Sequence, residues 1–211
     1  MIKIIILMLM AFPAQGQTLS VEDWYQKYSR PCKGLASGMV CRERLDASLK
    51  RMVESKAREK LEENGLPAWL ATVGVIESGY NNKAVSKAGA RGVFQLMMSN
   101  VQQYYTRTRY QKAPLSYSGK LKFTETIIET KPTIESCKWL AQDPDINMEV
   151  AFWLMRRLYN KYKDWSLALQ AYNIGEPALD KHLRGERDLP FETRNYFFQL
   201  MAIQRYMEEK G

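Results

Sequence analysis

The chain has 211 residues, 45% of them hydrophobic and 26% charged, which is enough for one domain with a sizeable core. Lys and Arg number 31 against 23 Asp and Glu, a formal charge of +8 that suits an acidic polymer or surface without choosing among them. A single histidine and three cysteines without zinc-type spacing speak against metal chemistry, and neither a metal site nor a cofactor is expected.

Met1-Ile2-Lys3, the apolar run Ile4–Phe12 and the small residues Ala14 and Gly16 read as a secretory signal peptide, residues 1–16. The run is short against the roughly 20 apolar residues needed to span a bilayer. The alternative is an uncleaved anchor. No later stretch looks transmembrane, and export to the periplasm or the medium follows. Export permits a disulfide. Cys32 and Cys41 flank the Gly-rich stretch Lys33–Gly38, which favours them as a pair, and one thiol is left over.

Residues 17–60 read as an N-terminal helical extension and 61–211 as the main domain. Leu45, Leu49, Met52, Val53, Ala57 and Leu61 make one stripe of a long helix that Asn64-Gly65 ends. Pro67 opens the next helix, Ala68 to Glu77, apolar nearly all round and hence central. Ser78-Gly79 stops it, a loop through Gly92 follows, and helix resumes from Val93 to about Tyr104. Residues 100–142 show no sustained period. A small β-hairpin or irregular insert is expected at about 105–140, with Lys120–Thr130 as the hairpin candidate. Asp143-Pro144 starts a helix striped by Val150, Trp153, Leu154 and Leu158, and Asp164 caps Trp165–Asn173. The last helix runs from about Glu192, with Tyr196, Leu200, Ile203 and Met207 on one face. The fold class is mainly α, a single helical domain.

Glu77 ends the greasy helix. A carboxyl group short of water holds its proton, and an acid protonated near neutral pH is what glycosidic cleavage requires. Beside this stand Gly92-Val93-Phe94-Gln95 and Ala171-Tyr172-Asn173. Together with Glu77-Ser78, these resemble the three signatures of the lytic transglycosylases of glycoside hydrolase family 23, which share the goose-type lysozyme fold. Ser86-Lys87-Ala88-Gly89-Ala90 is similar to that family's Ser-x-x-Gly-Ala. Asn64-Gly65-Leu66-Pro67 and Glu192-Thr193-Arg194-Asn195-Tyr196 look most like the membrane-bound lytic murein transglycosylase D subgroup. The sequence departs from that subgroup in showing no LysM repeats and no lipidation cysteine. It also carries an insert between Met98 and Asn147, and Met98-Ser99 where the family usually has proline.

The resemblance implies cleavage of peptidoglycan between N-acetylmuramic acid and N-acetylglucosamine without water, leaving 1,6-anhydro ends. It implies Glu77 as the catalytic acid and then base. Ser86 and Tyr172 would position Glu77. Gln95 and the backbone near Gly92 would hold the sugar, and Phe94 and Met97 would line the groove. Asn173 would fix the loop or touch substrate. Ser78 would touch substrate or cap the helix end. The expected partner is the glycan strand, bound by a monomer. A protein of an envelope machine could dock on the insert, and nucleic acid and membrane are not expected partners. Two alternatives stay open. One is a goose-type hydrolase, whose water-activating carboxylate would come from Glu125, Glu129, Glu149, Asp164 or Glu176. The other is a non-catalytic wall-binding protein of a secretion or conjugation machine.

Overall fold

The computed structural model describes residues 18–35, 40–108 and 131–210. The expected signal peptide, the tip of the Cys32–Cys41 loop and the hairpin candidate Lys120–Thr130 lie outside the described residues. Within them the protein is helical: α1 Val21–Tyr28, α2 Arg42–Glu54, α3 Ala57–Glu63, α4 Thr72–Ser78, α5 Met98–Thr108, α6 Ile134–Leu140, α7 Pro144–Tyr162, α8 Trp165–Ile174, α9 Glu176–Leu183 and α10 Phe191–Lys210. The only pairing outside helices among the described residues is a pair of isolated bridges, Val85 with Arg91 and Arg91 with Leu96.

The capping expected from the sequence is present. Asp143 accepts hydrogen bonds from the N–H groups of Asp145 and Ile146, with Pro144 in the first turn of α7. Asp164 accepts from Leu167 N–H at the start of α8. Gly79 ends α4 in the left-handed conformation at φ 61°, where a side chain would be strained.

Four expectations need correction. The long helix of the 45–61 stripe is two helices, because Lys56 adopts φ 55° and breaks the run; Val53, within the first of them, is 63% exposed and off the buried face. The helix after Pro67 opens with a 3-10 turn, Ala68–Ala71, before α4. Helix resumes at Met98 rather than Val93, since Arg91 and Leu96 exchange backbone hydrogen bonds and close a turn over 92–95. The described parts of 105–140 are the end of α5 and the whole of α6, where Thr133 accepts from Ser136 N–H as a helix cap. Helices α1, α6 and α9 carry too few turns for an apolar period to announce them. The proposed boundary at residue 60 falls inside α3.

The main core joins Leu61, Leu70, Val73, Phe94, Val101, Val150, Met155, Leu158, Leu169, Tyr196 and Leu200. A second, smaller core joins Tyr28, Leu45, Ala202, Ile203 and Tyr206. Helix α10 therefore packs on both sides. One face closes the main core, and the other receives α1 and α2. No helix among the described residues is long and apolar enough to cross a membrane. Cys32 and Cys41 are joined by a disulfide with Cα atoms 5.1 Å apart, and Cys137 is a buried free thiol.

Candidate active site

Glu77 stands in the last turn of α4, where four elements converge: α4 itself, the loop 79–97, and the helices α8 and α10. Its carboxylate Oε1 accepts a hydrogen bond from the Tyr196 hydroxyl at 2.5 Å. Tyr196 is fully buried on α10. Glu77 is half-buried. Its pKa is nevertheless pushed up to about 7. Burial is the largest cause; the Tyr196 hydrogen bond pulls the other way, and the negative charge of Glu192 adds to the rise. The negative end of the α4 dipole disfavours a carboxylate in the same sense.

The loop is held by buried polar anchors. The Asn147 side chain is almost wholly buried. Its Oδ1 accepts from Phe94 N–H at 2.8 Å, and its Nδ2 donates to the carbonyls of Arg91 at 3.1 Å and Ala141 at 2.8 Å. Gly92, at φ 78°, presses against this amide: a Cβ there would sit 2.3 Å from Asn147 Nδ2 and 2.4 Å from the Ala141 carbonyl oxygen. Gln95 adopts φ 46° and Tyr80 φ 60°, uncommon for side-chain-bearing residues and costing of order 1 kcal/mol or more each.

The residues expected at the site take different places around Glu77. Tyr172 is close enough for the Glu77 charge to help hold its phenol protonated, behind the larger effect of burial. Its hydroxyl donates to the Phe94 carbonyl at 2.6 Å rather than to Glu77. Ser78 Oγ donates to the Val93 carbonyl at 2.7 Å and accepts from Asn81 N–H, which makes it a helix-end clamp. Ser86 Oγ accepts from Ala90 N–H and closes the Ser86–Ala90 turn, with no hydrogen bond to Glu77. Gln95 Nε2 donates to the carbonyls of Gly92 and Ala84, holding the loop. Asn173 Oδ1 accepts from the Thr193 hydroxyl at 2.6 Å and ties α8 to α10.

Phe94 corrects the expectation of a groove residue. Its ring is fully buried against Tyr80 and Phe152, so only its backbone serves the site. Met97, at the end of the same loop, is 42% exposed, and Val85 within the loop is exposed as well.

Two residues at the centre had no role assigned from the sequence. In the sequence Tyr196 reads as core stripe and Glu192 as a helix start, and both belong to the Glu192–Tyr196 resemblance, which gives neither a role at the acid. The Glu192-to-Tyr196 segment was the available signal: positions four apart share a helix face, so Glu192 and Tyr196 reach the same site. Of the carboxylates considered for water activation, Glu149 accepts from Tyr104, Asp164 caps α8, and Glu176 pairs with Arg157 and Lys161. Glu125 and Glu129 lie outside the described residues.

Fold and site define the class as a mainly helical, lysozyme-like domain. The family model for the Transglycosylase SLT domain matches residues 54–117 and 123–195, and the chain belongs to that family. It is thereby a lytic transglycosylase in the broad sense, an enzyme of peptidoglycan. A search of curated proteins finds no match.

Proposed function

We propose that the protein cleaves the β1,4 bond between N-acetylmuramic acid and N-acetylglucosamine without water, with Glu77 acting first as acid and then as base. The observation that carries this reading is Glu77 itself: a half-buried carboxyl, its pKa pushed up to about 7, hydrogen-bonded to one tyrosine. A carboxyl raised this far above its ordinary range still carries, near neutral pH, the proton that the bridging oxygen must receive. As the glycosidic bond breaks, positive charge grows at C1 of the muramic ring, where the substrate's own acetamido oxygen can stabilise it. Glu77, now a carboxylate, takes the proton from the C6 hydroxyl, and that oxygen closes on C1. The proton gained in the second step replaces the one given in the first, so the enzyme is restored. Tyr196 fits both halves, because its hydroxyl steadies the carboxylate between the two transfers.

Hydrolysis remains a defined second reading, favoured by one observation. Glu192 is a further carboxylate whose charge is felt at Glu77, and a general base for water would have to stand nearby. The products separate the two. Mass spectrometry of muropeptides from digested sacculi is expected to show anhydro ends; ends heavier by one water would assign the hydrolase. Glu77→Gln is expected to abolish cleavage while the protein stays folded. Retained wall-dependent effects in that variant would instead support the non-catalytic role. Action in the periplasm as a monomer, kinship with the transglycosylase D subgroup, and docking of an envelope protein on the insert belong to the same proposal.

A further inference from the structure

Helix α1 and the residues just before it precede the segment that the family model matches, yet they are bonded to the helix that carries Tyr196. Leu19 N–H donates to Asn195 Oδ1 at 2.7 Å, and the Trp24 indole N–H reaches the same oxygen at 3.3 Å. Asn195 Nδ2 donates to the Phe191 carbonyl at 2.7 Å, bracing the first turn of α10. Asn195 is fully buried. An amide in such a place is costly unless its donors and acceptors are met, and an apolar side chain would pack there without that demand. What the amide adds is direction: it is satisfied in one placement of the arm against α10.

The neighbours of Asn195 point into the site. Thr193 donates to Asn173, and Tyr196 donates to Glu77. Successive helix positions are about 100° apart, so one turn can grip the arm with one residue and the acid with the next. Arg205 pairs with Glu22, and the Tyr28 hydroxyl donates to Gln199 at 2.9 Å, so the arm is held along much of α10.

We infer that Asn195 is a positioning residue: through it the arm Leu19–Trp24 holds the first turn of α10 in the placement that keeps the Tyr196 hydroxyl on Glu77. This rests on Glu77 being the acid.

The test compares Asn195→Ala and the milder Trp24→Phe with wild type in the full chain. It measures melting temperature, kcat and KM on sacculi, and the titration of the Glu77 carboxyl carbon by NMR. Asn195→Ala is expected to lower kcat about 3–10-fold, in keeping with the net worth of a hydrogen bond, at unchanged KM. Its Glu77 carboxyl should titrate at higher pH, since the tyrosine hydrogen bond that favours the charged form is loosened. Trp24→Phe should move both in the same direction by less, and it decides the matter if Asn195→Ala does not fold. A lowered melting temperature with kcat and the Glu77 titration both at wild-type values would overturn the inference. Failure of wild type to cleave any glycan would strike the proposed reaction instead, and the carboxyl titration would still judge Asn195.

Discussion

At the scale of the residue, the site is one carboxyl group with two opposing influences. Tyr196 favours its charged form, and Glu192 disfavours it. The signs lead to opposite outcomes in two variants. Tyr196→Phe should raise the Glu77 pKa and carry the alkaline limb of kcat/KM upward, although the lost hydroxyl lowers the maximum rate. Glu192→Gln should lower that pKa and bring the limb down. Both are read from pH profiles of glycan cleavage, and limbs that stay in place in both variants would contradict the assignment. Linkage gives a second reading of the same group. The folded pKa, about 7, lies above the ordinary 4.5. The stability it confers is therefore fully present below about 4.5 and is lost as pH rises through 7. Glu77→Gln should remove that loss and be the more stable protein at pH 8, by on the order of 3 kcal/mol in denaturant melts.

At the scale of the element, the loop 79–97 is shaped from beneath by α7. Asn147 meets one backbone donor and two backbone acceptors in the interior; without the amide the Phe94 N–H and the Ala141 carbonyl lose that partner, while the Arg91 carbonyl keeps the Leu96 N–H. Asn147→Ala should therefore cost about 3 kcal/mol or more, measured by urea unfolding. Activity should also fall below the melting temperature, because Phe94 would lose its hold and its carbonyl is the acceptor for Tyr172. A variant that loses neither stability nor rate would show that the loop holds its own shape. Asn147 explains why Gly92 tolerates no side chain: the space a Cβ would take is already filled by the amide. The sequence motif is thus a packing requirement first, and its service to the acid is indirect.

At the scale of the whole molecule, a chain of formal charge +8 meets peptidoglycan, whose peptides carry carboxylates. Attraction between exposed charges is screened beyond about 8 Å at physiological salt. Raising ionic strength should raise KM for sacculi while leaving kcat largely unchanged, and an unchanged KM would remove charge from the account of binding. Much of this architecture was legible in the chain. Asp143-Pro144, Asp164, Gly79 and the apolar stripes act within a few residues of themselves, so capping, helix stops and buried faces could be read locally. Glu77 at the end of an apolar helix was legible for the same reason. What the sequence by itself determined is the helix starts and stops that carry a local signal, at Asp143-Pro144, Asp164 and Gly79, and which acid ends an apolar helix. Only the tertiary structure decided that Tyr196 rather than Tyr172 meets Glu77, that Phe94 is core, and that Asn195 joins the arm to the site. Those are contacts between residues far apart in the chain, and their geometry exists only once α4, α8 and α10 have packed.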